Sequence, residues 1–118
     1  MIVNIKATGT TLTASLRSYI EKKLAPIGKL VKGDEDSAVV QVEIGRSTKH
    51  HKKGDVYYAE INVRLGKTKL RAEKNEEDIY AAIDGAKDEI LRELKSYKSK
   101  TEAKQKAGGR KVKGMLKG

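Results

Sequence analysis

The sequence predicts an α/β fold of the α+β type: a two-layer sandwich in the order β-α-β-β-β-α. Both helices are expected on one face of a four-stranded, mostly antiparallel sheet. Three observations carry this expectation. Two stretches repeat apolar residues every three or four positions, four stretches alternate apolar with polar residues, and turn-forming residues fall between them. At 118 residues, the chain fits one domain with a single modest core.

The first strand reads as Ile2 to Ala7, with Val3, Ile5 and Ala7 on one face. Gly9 and two threonines connect it to a helix capped by Thr13, whose hydroxyl can accept a bond from an orphan amide of the first turn. That helix is expected over Ala14 to Ala25, on a stripe of Leu16, Ile20, Leu24 and Ile27 with Tyr19 on its flank. Pro26 donates no backbone bond and disfavours helical geometry at Ala25, so the helix should end or kink there. Residues Lys32 to Ser37 read as a turn or loop.

Three strands follow. In Ala38 to Ile44 the even positions point one way, and Gln41 and Glu43 the other. In Tyr57 to Leu65 the buried set is Ala59, Ile61, Val63 and Leu65. Gly66 and Lys67 make a tight hairpin turn into a last strand, Thr68 to Lys74, with Leu70 and Ala72 inward. Such one-sided alternation suits a sheet with a single covered face. A right-handed crossover followed by two hairpins places both helices on that face.

The second helix has the clearest pattern. Asn75 is a cap candidate with Asp78 as its capping-box partner, and Ile79, Ile83, Ala86, Ile90, Leu94 and Tyr97 form one stripe. Run to Lys100, the helix is about 37 Å long, against about 23–30 Å for strands of this size. Its last turns should overhang the sheet. Residues 1–100 are therefore read as the domain. Residues 101–118 are read as a disordered tail carrying six basic residues against one acid, Glu102.

Composition narrows the function. The 26 Lys and Arg exceed the 16 Asp and Glu by +10, which points to a polyanionic partner, nucleic acid before anionic membrane. The absence of Cys removes disulfides, thiolate catalysis and Cys-ligated zinc. With no Trp, no Phe and five Tyr, stacking platforms for unpaired bases are scarce. No signal peptide and no long apolar run is present. The chain is expected to be soluble and cytoplasmic, with no membrane partner.

Catalytic readings are weak. His50 and His51 share a loop with Arg46, Lys49, Lys52 and Lys53, which oppose a bound cation, so a solvated basic loop is the stronger reading. The run Glu76-Glu77-Asp78 suits the first turn of a helix, where negative charge complements the dipole. Asp84 and Asp88 have Lys87, Arg92 and Lys95 as available ion-pair partners. No catalytic triad, P-loop or phosphate cradle is present. A non-enzyme without cofactor, metal or small-molecule substrate is expected.

Polyanion binding is better supported. On helix one, Lys23 projects into the apolar arc, so it either snorkels or serves a partner; Arg17 borders the same stripe and Lys29 follows the proline. On helix two, Tyr80, Lys87, Leu91, Lys95 and Lys98 share a sector beside the core stripe, a patch suited to a phosphate backbone. The outer sheet face offers Gln41, Glu43, Glu60, Asn62, Arg64, Lys69, Arg71 and Glu73, with Tyr58 its one aromatic. Recognition there is of phosphate and shape, through Lys69 and Arg71, rather than of stacked bases.

The string Asp78-Ile-Tyr-Ala-Ala-Ile-Asp84, followed by a basic amphipathic helix, resembles the second helix of the ribosome hibernation promoting factor family, which includes the ribosome-associated inhibitor A proteins. The resemblance covers about residues 1–100. It takes in Asn4-Ile5, Leu12-Thr13, Leu16-Arg17, Lys23-Leu24, Tyr58-Ala59-Glu60 and Leu70-Arg71-Ala72-Glu73. It implies a fold like double-stranded RNA-binding domains. It also implies occupation of the small ribosomal subunit's decoding channel, excluding messenger RNA and tRNA during stress or stationary phase.

Carried over, Arg17 and Lys23 match basic positions of the family's first helix, and Arg92, Lys95 and Lys98 fall in the basic stretch of its second. Pro26 departs from a region that is usually helical, and Glu89 stands where relatives often carry Lys. The chain resembles the short class, without the second domain that joins two ribosomes. The expectation is a steric inhibitor of translation, monomeric off the ribosome. The rivals are a binder of structured RNA acting elsewhere and a protein-interaction adaptor.

Overall fold

The structure is a computed structural model. It describes the backbone of residues 1–32, 38–51 and 54–117, and the side chains of these except 48–51, 54–55 and 103–117. The elements follow the expected order: β1 (Ile2–Thr8), α1 (Ala14–Leu30), β2 (Ala38–His51), β3 (Gly54–Leu65), β4 (Thr68–Glu76) and α2 (Ile79–Lys117). The sheet order is β1-β2-β3-β4. β1 pairs parallel with β2, and the other two pairings are antiparallel.

Register explains why one face is apolar. Val3, Ile5 and Ala7 of β1 stand beside Val40, Val42 and Ile44 of β2. Those lie opposite Val63, Ile61 and Ala59 of β3, and Val63 and Ile61 meet Leu70 and Ala72 of β4. With a side-chain period of two, this whole set faces the helices. The core adds Leu16, Ile20, Leu24, Ile27 and Val31 from the α1 segment and Ala82, Ile83, Ala86, Ile90 and Leu94 from α2. Among the described residues no polar side chain is buried in it. Lacking Phe and Trp, the core is built from branched aliphatic chains and alanine.

Helix α1 begins as read, with the Thr13 hydroxyl accepting from the Leu16 amide at 3.1 Å. It does not stop at Pro26 but continues to Leu30, capped by Val31. A proline inside a helix removes one backbone bond and crowds the preceding turn. Here Pro26 and Lys22, whose carbonyl loses its partner, are exposed, so water can replace the bond. Ile27 and Val31 beyond it are completely buried. Their packing outweighs the proline.

Helix α2 begins later and ends later than expected. Asn75 lies in β4, opposite Tyr58. Asp78 is the capping residue instead: its carboxylate accepts from the Tyr80 amide at 3.1 Å and its carbonyl from the Ala82 amide at 3.0 Å. Glu76 and Glu77 therefore precede the helix, and its first turn holds no acid. The helix spans 39 residues and runs past Lys100 to Lys117, where a disordered tail is expected. Thr101 to Ala107, rich in Ala, Lys, Glu and Gln, favours propagation of a helix already formed.

The β2–β3 ribbon is also longer than its apolar alternation suggests. Its strands enter the segment read as a basic loop, through His51 and from Gly54. The side chains of His50 and His51, and the loop expected over 33–37, lie outside the described residues. Backbone pairing between Arg46 and Tyr57 and between Ser47 and Val56 extends the ribbon without an apolar face to signal it.

Candidate nucleic-acid interface

The interface is organised by a polar lock between the helices. The Tyr19 hydroxyl donates to Asp84 Oδ1 at 2.6 Å, and Lys23 Nζ lies 3.2 Å from the same oxygen. The Lys23 ammonium also sits 5.2 Å from the centre of the Tyr19 ring, and Tyr80 meets that ring edge to face at 4.8 Å. The hydrogen bond to Asp84, reinforced by partial burial and the carboxylate's charge, pushes the Tyr19 phenol up to about 12. Because Tyr19 meets Tyr80 and Lys23 meets Asp84, the two helices run in the same direction.

This parallel arrangement carries the end of α1 toward the later turns of α2. Lys29, in the last turn of α1, reaches the same end of the molecule as Arg92, Lys95 and Lys98. That end also holds the β3–β4 hairpin, because the Thr68 hydroxyl lies 3.4 Å from that of Tyr97. Lys67 at the turn and Lys69 just after it add two more exposed cations. Gly66 makes the turn possible by taking a φ of +58°, a conformation open to glycine.

Several residues read as contacts lie elsewhere. Lys23 is answered by Asp84, and Lys87, with only 19% of its side chain exposed, is paired with Asp88 at 2.6 Å. This pairing holds the Asp88 carboxyl below its usual range. Arg17 lies on the β1 flank of α1, where it lines a groove of about 300 Å³ with Val3, Ile5, Glu21 and Leu24. Arg71 is on the outer sheet face and bonds Glu60 at 3.0 Å and Glu73 at 2.8 Å. Bonds from Asn62 and Arg71 hold the Glu60 carboxyl below its usual range.

Two features escaped the sequence reading. Glu89 pairs with Lys74 at 3.2 Å, tying α2 to β4. A carboxylate there therefore serves the fold. On the outer face, Tyr58 donates to Glu43 at 2.7 Å across Gly45. A Cβ at Gly45 would stand 2.5 Å from the Tyr58 ring and 2.6 Å from the Thr8 carbonyl. Neither pair has a spacing signature, since each depends on register between separate elements.

Among the described residues there is no group of three metal-ligating side chains, and no helix is long and apolar enough to cross a membrane. The fold and the charge pattern define a small cationic α+β domain that gathers positive charge at the hairpin end of the sandwich.

Comparison with known sequences places it more closely. The family described as sigma 54 modulation protein / S30EA ribosomal protein matches residues 3–102. The chain belongs to this family, the one its second-helix motif resembles. A ribosome hibernation promotion factor from Staphylococcus aureus is 31% identical over 107 residues, covering 89% of this chain and 52% of the relative. One from Picosynechococcus is 31% identical over 101 residues, covering 86% of this chain and 51% of the relative. The chain thus spans about half the length of the curated relatives it matches.

Among solved structures, the N-terminal domain of Protein Y from Thermus thermophilus aligns with a TM-score of 0.65 at 29% identity, over 82% of this chain and 99% of that one. A ribosomal subunit interface protein from Coxiella burnetii shares the fold, with a TM-score of 0.65 at 20% identity, over 84% of this chain and 99% of that one.

Proposed function

We propose that this chain is a ribosome-associated translation inhibitor that acts by occupying space, with no bond made or broken. The domain binds the small ribosomal subunit in its decoding channel through phosphates of ribosomal RNA, and its bulk excludes messenger RNA and tRNA. It works in the cytoplasm during stress or stationary phase and is a monomer off the ribosome.

The observation that carries this reading is the cationic end built by Lys29, Lys67, Lys69, Arg92, Lys95 and Lys98. Tyr19–Asp84 and Thr68–Tyr97 hold the elements bearing these residues in register. Rigidly placed cations suit a fixed array of phosphates, whose neutralisation releases counterions. Family membership and the names of the relatives supply the ribosome as the polyanion. Lys23 and Lys87 serve chiefly to hold the helices and their charges in place, and Arg17 is a separate contact on the β1 flank. Residues 101–118 act as a basic extension of α2 beyond the packed domain 1–100, adding six cations against one acid.

The test is competition on purified small subunits. Labelled protein is bound, and tRNA with messenger RNA is titrated in. Mutual displacement is the expected result. Simultaneous binding would contradict the channel assignment and favour a structured-RNA binder acting elsewhere.

A further inference from the structure

The outer sheet face, turned away from the helices, carries its own polarity. Arg64 on β3 and Lys69 on β4 are direct cross-strand partners, and both are exposed. Four residues along the strands, Glu60 and Glu73 form the corresponding acidic pair, about 13 Å away at 3.3 Å per residue. Between these two rows, Arg71 lies opposite Asn62 and is held by both acids. Its charge is spoken for within the fold.

Arg64 and Lys69 are in a different position. Like charges placed directly opposite one another destabilise a sheet. Among the described residues neither of these two cations has an ion pair or side-chain hydrogen bond that relieves it. They rim a shallow pocket of about 350 Å³ whose polar lining also includes Gln41 and Asn62. The Asn62 amide nitrogen donates to Glu60 at 2.7 Å, which fixes the orientation of its side chain. The arrangement is two convergent cations with amide groups beside them, in a concavity wide enough for a tetrahedral anion.

We propose that this pocket is a second anion site, taking a single phosphodiester of an RNA strand on the face opposite the helices. It rests on the RNA-binding reading above and deepens it: the domain is gripped from two sides. The unrelieved cation pair weakens the free protein and is relieved only when the phosphate is bound. Cations that serve a partner leave this signature, whereas cations that serve only the fold are normally paired.

The test uses the full chain and the double variant Arg64→Gln/Lys69→Gln. Binding to purified small subunits is measured across salt, and the urea midpoint is measured in parallel. The expected result is weaker binding, a log–log salt slope reduced by about 2, and a midpoint equal to or above that of the unmodified chain. Unchanged affinity and slope would overturn the proposal, and so would a lowered midpoint, which would mean that the pair serves the fold.

A second measurement separates this site from the ribosomal assignment. An RNA hairpin is titrated into the isotope-labelled chain and amide and side-chain shifts are recorded. Shifts at Arg64, Lys69 and Asn62 support the site even if small-subunit binding fails. Shifts confined to the helices overturn it. Stronger shifts at these residues with a phosphoserine peptide than with RNA also overturn it, in favour of a protein partner.

Discussion

Tyr19 and Asp84, 65 residues apart in sequence, share a hydrogen bond of 2.6 Å across the two helices. The same Asp84 oxygen meets Lys23 at 3.2 Å. One carboxylate therefore fixes how α1 lies on α2, and with it where the cations at their far ends stand.

Replacing Asp84 with Ala removes the hydrogen bond and the ion pair together, and leaves Lys23 without its partner. The lock is half-exposed, so the expected cost is about 1–3 kcal/mol in urea unfolding. A change below about 0.3 kcal/mol would show that the lock contributes nothing to the helix pairing.

The phenols report the same contact through pH. Tyr19 is raised to about 12, mainly by its bond to Asp84, and Tyr58 is raised by burial and by its bond to Glu43. A phenol raised in the folded state favours the neutral form, so its stabilisation is intact below pH 10 and is lost as pH climbs toward 12. Absorbance titration of the five tyrosines should show a late fraction, and Tyr19→Phe should remove the latest step while flattening the alkaline limb of stability. An unchanged titration curve in that variant would count against the bond.

Gly45 is required by close approach. Gly45→Ala pushes a methyl into the Tyr58 ring and the Thr8 carbonyl, and overpacking of this kind costs about 1–3 kcal/mol. The expected outcome is a lowered melting temperature that Tyr58→Ala partly restores in the double variant. Full stability in the single variant would mean that the ring and β1 yield freely.

Charge reversal at Arg92 and Lys95 should weaken small-subunit binding by an order of magnitude or more and leave the melting temperature within a few degrees. The same reversal at Lys87 should act mainly on stability, because that side chain is largely covered and paired with Asp88. Equal effects on binding at the two places would erase the distinction between the cationic end and the interhelical seam.

The layers, the strand faces and the core were legible because period-two and period-3.6 patterns are enforced by burial at each position. Ile20, Ile61, Ile83 and Ile90 all stand where their spacing puts them. Boundaries were less legible where packing opposes a local signal, as at Pro26, or where a backbone ribbon continues without an apolar face, as beyond Ile44. The interface was read in part. The cations of helix two were visible as a sector, but the pairing of Lys23 with Asp84, of Lys87 with Asp88 and of Arg71 with Glu60 depends on rotamers or register. Spacing alone counted these cations with those left exposed at the hairpin end.

The most direct measurement is the affinity of the full chain for purified small subunits between 50 and 200 mM monovalent salt. If the domain is held by 6–10 phosphate contacts, binding should weaken about 10³–10⁵-fold over that range, on a straight log–log line. Affinity that stays flat across it would contradict a phosphate-held wedge.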